Sequence, residues 1–312
     1  FSDMFLPKKT TYATLNFIDI PGFDSKSDQK EKTRILQMIQ AVDSIILVIR
    51  AFESTVIPWP QDNDTTLKQL ETLRTELIIR DMEVVENRLE RLQADKKKKK
   101  STPEMEKEEE LLEKIKQELD NGDFSSKLAI NDEEKKLISS LALLTLKPII
   151  VLLNIDEEQL KNASYKGRED ILTDCGKQNF AYLELCGRIE SDLVELSPEE
   201  KEVFMTELGI KKPGIDTLSK IVYDHIGLIS FFTVGQDEVR AWTIEKNTSM
   251  KKAAGKIHSD LEKGFVKAEV MKSKDLIEYK SEEVLKSKGL WKLAGKDEIV
   301  QDGDILNIRA NT

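Results

Sequence analysis

The sequence predicts an α/β protein in which a doubly wound, mainly parallel sheet is interrupted by a long helical insertion and followed by a smaller α+β module. Three observations carry this. Apolar, β-branched runs at Thr14–Ile20, Ser44–Arg50 and Lys147–Asn154 are too short for helices and continuous enough for strands buried on both faces. From Thr65 to Leu119 the apolar residues recur at threes and fours on both sides of a lysine run, as in two helices folded back on each other. Beyond Leu228 the apolar runs are short and separated by turn residues.

Taken in order, Ile35, Met38, Ile39 and Val42 place a helix over Lys30–Val42 between the first two strands, which makes a strand-helix-strand unit. Asp19, Arg50 and Asn154 then fall at carboxyl ends of strands, the edge where open α/β sheets bind ligands. The insertion reads Leu67, Leu70, Leu73, Leu77, Met82, Val85, Leu89, Leu92, then Met105, Leu112, Ile115, Leu119. Its tip is Lys96–Lys100 followed by Ser101-Thr102-Pro103, a solvated helix end and turn, with an RNA-phosphate contact as the alternative. Asn131 with Glu134 three residues on is a capping box opening a helix over Asn131–Leu146. Tyr182–Leu185 is a fourth strand, and Cys186-Gly187 leads into polar helices that break at Lys211–Gly214 and resume over Ile215–Ile226. In the last part, strands at Phe231–Val234, Arg240–Ile244, Phe265–Val270 and Ile305–Arg309 surround one helix, Ser249–Leu261, in a β-grasp-like arrangement.

Of 312 residues, 34% are charged, above the roughly 25% usual for globular chains, and the excess lies between Leu67 and Lys136, as on an exposed helical projection. A formal charge of −10 argues against a surface-wide nucleic-acid footprint and leaves room for a local basic patch. Cys175 and Cys186 have neither metal-ligand spacing nor a disulfide framework, which fits a reducing cytoplasm and no catalytic thiol. No run approaches the roughly 18 apolar residues of a membrane span, so the expectation is a soluble protein with no membrane partner. His258 reads as a structural or surface residue and Trp242 as core.

The chemistry centres on Asp19-Ile20-Pro21-Gly22. In P-loop nucleotide switches an Asp at a strand end holds Mg²⁺, usually through water, and the Gly of Asp-x-x-Gly offers its N–H to the γ-phosphate. Asp19 and Gly22 are the candidates, Asp19 being the metal-binding one. No Gly-x-x-x-x-Gly-Lys-[Ser/Thr] occurs in these residues, which start at Phe1; that phosphate cradle is expected upstream or lost. Phe23 stands where Ras-like enzymes carry a water-orienting Gln, so hydrolysis should be slow or use another group, and no catalytic side chain is identified. Asn154-Ile155-Asp156-Glu157 falls where guanine-specific enzymes have Asn-Lys-x-Asp. Glu157 is a methylene longer than that Asp and Ile155 replaces the Lys, so the guanine reader is lost; a plain acidic helix start is the bland alternative.

Leu6–Lys9, Asp19–Gly22, Leu143–Pro148, Asn154–Glu157, Glu238–Ile244, Ile257–Phe265 and Ile299–Asp304 together resemble the YchF family of Obg-related ATPases, over essentially the whole chain. The resemblance implies a P-loop G domain, partial here, over 1–64 and 143–227, an inserted antiparallel coiled coil over 65–142, and a ubiquitin-like TGS domain over 228–312. It implies ATP in preference to GTP, with Mg²⁺, and a slow nucleotide-dependent switch on the ribosome, bound as large subunit or whole particle. Contact with ribosomal RNA would run through the TGS domain and coiled coil. Asn154 and Ile155 would face adenine, Glu157 would mark ATP use, and Cys186 and Gly187 would close the base pocket. Where the family has a glycine-rich mobile segment, this chain has Asp24–Gln29. The alternative is a non-catalytic ribosome-binding adaptor on a degenerate nucleotide fold, and these residues alone are expected to bind ATP weakly.

Overall fold

The computed structural model describes residues 1–21, 29–59 and 65–311. Among them the strands are β1 Lys9–Thr11, β2 Ile45–Arg50, β3 Ile149–Asn154, β4 Ala181–Leu185, β5 Leu228–Thr233, β6 Glu238–Glu245, β7 Phe265–Lys272, β8 Lys292–Ala294 and β9 Asp304–Ala310. They divide between two compact units, residues 18–222 and residues 1–17 with 223–312.

In the unit 18–222, β2, β3 and β4 form a parallel sheet in that order. The register aligns Arg50 with Asn154 and Asn154 with Leu185, so the three carboxyl ends share one edge. β3 is the middle strand because its whole run is apolar: Ile149, Ile150, Val151 and Leu153 are all buried. β2 instead alternates, with Ile45, Leu47 and Ile49 buried and Val48 60% exposed, as suits a strand with a wet face.

The insertion is a helical hairpin, Thr66–Lys97 and Pro103–Asp120, each helix started by a threonine side chain that accepts a backbone N–H. Leu70, Leu77, Val85, Leu89 and Leu92 bury against Leu111, Leu112, Ile115 and Leu119 in one core with the sheet. Bidentate bonds from Arg88 to Glu108, at 2.7 Å each, set the antiparallel register. The Asn131 capping box is present, but the helix it opens is only Asp132–Ile138; a short 3₁₀ turn follows and Ala142 takes a left-handed φ of 46°.

The second unit holds a six-stranded sheet ordered β1-β6-β5-β9-β7-β8. Phe231 and Trp242 stack at 6.3 Å in its core, and the Trp242 indole N–H donates to Thr233 Oγ1 at 3.0 Å, which satisfies its polar end. The expected helix Ser249–Leu261 is two helices, Met250–Ile257 and Ser259–Lys263, because His258 is extended and its Nδ1 accepts the Asp260 N–H as a cap. Five elements of this unit had no signal in the periodicity: β1, β8 and the helices Ser2–Phe5, Ser273–Tyr279 and Glu282–Ser287. β1 joins by pairing in parallel with β6, which brings residues 1–17 into this unit.

One expected strand is absent. Thr14–Ile20 has β-branched composition but residues 12–21 carry no ladder, and Phe17 and Ile18 are about half exposed. A β-prone run becomes a strand only where a neighbour accepts its hydrogen bonds, and no described strand pairs with it.

Candidate functional site

The carboxyl edge of β2, β3 and β4 is finished by side chains. Asn154, the last residue of β3, accepts the Gly187 N–H on Oδ1 at 3.0 Å. Gly187 opens the helix Gly187–Glu195, whose N-cap Cys186 offers no side-chain bond, so a carboxamide from a different strand satisfies a helix-end donor. The approach is close: a Cβ at 187 would meet Asn154 Oδ1 at 3.1 Å, so the carboxamide would have to give by a few tenths of an ångström. Alongside, the Ile155 N–H donates to the Leu185 carbonyl at 3.0 Å and the Ala51 N–H to the Asn154 carbonyl at 2.8 Å.

The two acids after Ile155 are engaged. Asp156 caps the helix Glu157–Asn162, accepting the Gln159 N–H at 2.8 Å while Gln159 returns a bond to the Asp156 N–H. Glu157 sits 3.9 Å from Arg188, an exposed pair of little energetic weight. Ile155 and Cys186 are buried, so both contribute packing and backbone groups to this edge.

Arg50, at the end of β2, is held by loop carbonyls and rings, while its second terminal nitrogen is buried without a hydrogen-bond partner among the described residues. Its Nε donates to Phe52 O and one terminal nitrogen to Ile57 O and Pro58 O, each at 2.9 Å. The guanidinium lies between the Phe52 and Trp59 rings at 4.6 and 4.5 Å. On β4, Glu184 takes two bonds from Arg168 and one from Tyr165. Burial, then the Glu184 charge, pushes the Tyr165 hydroxyl pKa up. Burial likewise raises the Cys175 thiol to about 12, which keeps it protonated and inert.

Asp19 is exposed and forms no hydrogen bond or ion pair with the described residues. Gly22, Phe23 and most of the 24–29 loop lie outside them. The described residues contain no group of three or more His, Cys, Asp or Glu able to hold a metal. For Mg²⁺ this leaves one exposed carboxylate, a fit only where phosphate oxygens and water supply the remaining shell. A purine base would find a donor here: Asn154 Nδ2 has no hydrogen-bond partner among the described residues and lies beside a helix that starts on Gly187. Of the predicted set, the fold therefore brings together Asn154, Ile155, Cys186 and Gly187, with Glu157 next to them. Gln159 and Ala51 complete the edge; the spacing from Asp156 to Gln159 was a readable capping signal, whereas Ala51 carried none.

Residues 228–311 match YchF-GTPase_C, described as a protein of unknown function (DUF933). The ribosome-binding ATPase YchF of Bacillus subtilis is 36% identical over 98% of this chain and 84% of its own length. The chain belongs to the YchF family. The ribosome-binding ATPase YchF of Escherichia coli O157:H7 is 34% identical with the same coverage. The structure of the Schizosaccharomyces pombe YchF GTPase superposes with a TM-score of 0.83 at 30% identity, covering 99% of this chain and 83% of that one. The mixed α/β architecture with a parallel sheet is thus that of a YchF protein. No described helix is long and apolar enough to cross a membrane.

Proposed function

We propose that the chain is the base-binding and ribosome-docking part of a slow ATP hydrolase that switches with its nucleotide. The observation that carries this reading is the Asn154–Gly187 contact on the sheet edge, in a chain whose relatives are named ribosome-binding ATPases. Adenine over guanine is supported by the carboxylates. Reading guanine requires an acid of Asp length facing its N1–H and N2–H₂ donors, and here Asp156 is spent on a helix cap and the residue after it is Glu157, a methylene longer. In this reading Asp19, through water, and Gly22 meet the phosphate and its Mg²⁺, while ATP supplies the oxygens that a single carboxylate lacks. The ribosome contact would use the lysine tip of the hairpin, a coiled coil in the family's terms, and the C-terminal unit, its TGS domain. Five lysines at one helix end suit RNA phosphates, and such a contact weakens with salt. The setting would be the cytoplasm.

Calorimetry tests it. Because Gly-x-x-x-x-Gly-Lys-[Ser/Thr] is not among them, these 312 residues alone should bind Mg-ATP weakly, and micromolar affinity would overturn that expectation. In the natural gene product, Asn154→Ala should lower ATP affinity by roughly tenfold, the loss of one good hydrogen bond in a pocket. A gene lacking the phosphate loop upstream of Phe1 would favour the second reading, a ribosome-binding adaptor without hydrolysis.

A further inference from the structure

Gln69 lies in the first turns of the hairpin helix Thr66–Lys97 and is 5% exposed. Its Oε1 accepts the Arg50 N–H at 3.1 Å and its Nε2 donates to the Arg50 carbonyl at 2.9 Å. In a parallel strand the N–H and C=O of one residue point to the same side, and those of the next residue to the other. Arg50 thus turns its peptide groups away from β3, and Gln69 occupies the position where the backbone of another strand would pair. Ala51 turns the opposite way: its N–H donates to Asn154 O at 2.8 Å and its carbonyl accepts from Gln159 Nε2 at 3.0 Å. Two consecutive residues therefore link the helical hairpin on one side to the Asn154–Gly187 contact on the other. The helix that carries Gln69 is 32 residues long, a lever of roughly 48 Å with the lysine run at its far end.

We propose that Gln69 is a positioning residue that lets the hairpin set the posture of the base-contact edge. A load on the lysine tip displaces Gln69, Gln69 displaces Arg50–Ala51, and Ala51 shifts the Asn154 carboxamide against Gly187. The role of that edge in binding a base rests on the function proposed above; the mechanical linkage does not.

Amide hydrogen exchange on this chain, without nucleotide, separates the two. In Gln69→Ala, the Arg50, Ala51 and Gly187 amides should exchange about tenfold faster, while Val151 and Leu152 in the middle of β3 keep their native rates. Gln69→Glu adds a readout that general destabilisation does not move. Its neutral carboxyl keeps one acceptor and one donor for Arg50, and burial raises its pKa. Protection of Ala51 and Gly187 should therefore be native near pH 5 and lost near pH 8, the buried acid titrating between. Unchanged Ala51 and Gly187 rates in Gln69→Ala would overturn the linkage. So would one uniform acceleration of all core amides, or a Gln69→Glu protein with no recovery at acid pH. If exchange behaves as expected but Asn154→Ala leaves ATP affinity intact, the base reading falls and the linkage stands.

Discussion

In residues 18–222 the strand ends are finished by side-chain amides, whereas in residues 1–17 and 223–312 they are finished by further strands. Gln69 stands in for a neighbour of β2, and Asn154 caps a helix that begins in another part of the chain. In the second unit β9 pairs with both β5 and β7, and the short β1 and β8 cover β6 and β7. Even its turns are closed: Asp304 accepts the Gln301 N–H, Asp302 the Ser230 N–H, and Gly303 takes the φ of 79° that its turn requires. Strands that pair with strands leave few polar groups for a small ligand. Side-chain closures leave movable ones, such as Asn154 Nδ2, so a polar ligand edge belongs to the first unit.

The sharpest way to break this contrast is Asp81→Ala. Asp81 is fully buried, pairs with Arg80, and accepts both the N–H and the hydroxyl of Thr145 at 2.7 Å. Removing it leaves the Thr145 N–H without a partner and the Arg80 charge without its carboxylate, although Arg80 keeps the Ala142 carbonyl and the Thr145 hydroxyl keeps Ser125, and should cost about 3–5 kcal/mol. A urea titration should show that loss in the transition of the first unit alone; an equal shift in the second would undo the distinction drawn here.

A smaller effect comes at alkaline pH. The Cys175 thiol, raised to about 12 by burial, keeps its proton in the fold after the unfolded chain has lost it near pH 9. The unfolded state then binds fewer protons, so stability contributed below pH 9 declines as pH rises toward 12. The urea midpoint of the first unit should fall across that window, and Cys175→Ala should flatten the slope. A second unit that falls equally steeply, though it contains no cysteine, would assign the decline to other groups.

The smallest expected effect is in the second unit. Lys8 and Asp237 pair at 2.8 Å but are more than four-fifths exposed, so Lys8→Ala should leave the urea midpoint unchanged. A measurable loss would mean that β1 depends on this pair for its place beside β6.

What could be read in advance follows from where the signal resides. A continuous apolar run made Lys147–Asn154 legible as a buried strand, and the threes-and-fours leucines made the hairpin legible to within a few residues. The geometry of the candidate edge was legible where neighbouring residues carry the pattern: Asn154 to Glu157 after a strand, and Cys186-Gly187 before a helix. Thr14–Ile20 misled because strand propensity records fitness for a ladder and not the presence of a partner. Three residues of β1, or of β8, are too few to show any period.

Taken alone, the amino-acid order determined the strands β2, β3 and β4, the two hairpin helices and the Asn131 cap. These are local properties, set by spacing over one or two turns and by the chemistry of single side chains. Tertiary structure alone decided that Gln69 meets Arg50 nineteen residues away, that Asn154 reaches Gly187 across thirty-three, and that Lys9–Thr11 pairs with Glu238–Arg240. Such meetings depend on which of many chain closures buries the common core, and no local pattern encodes that choice.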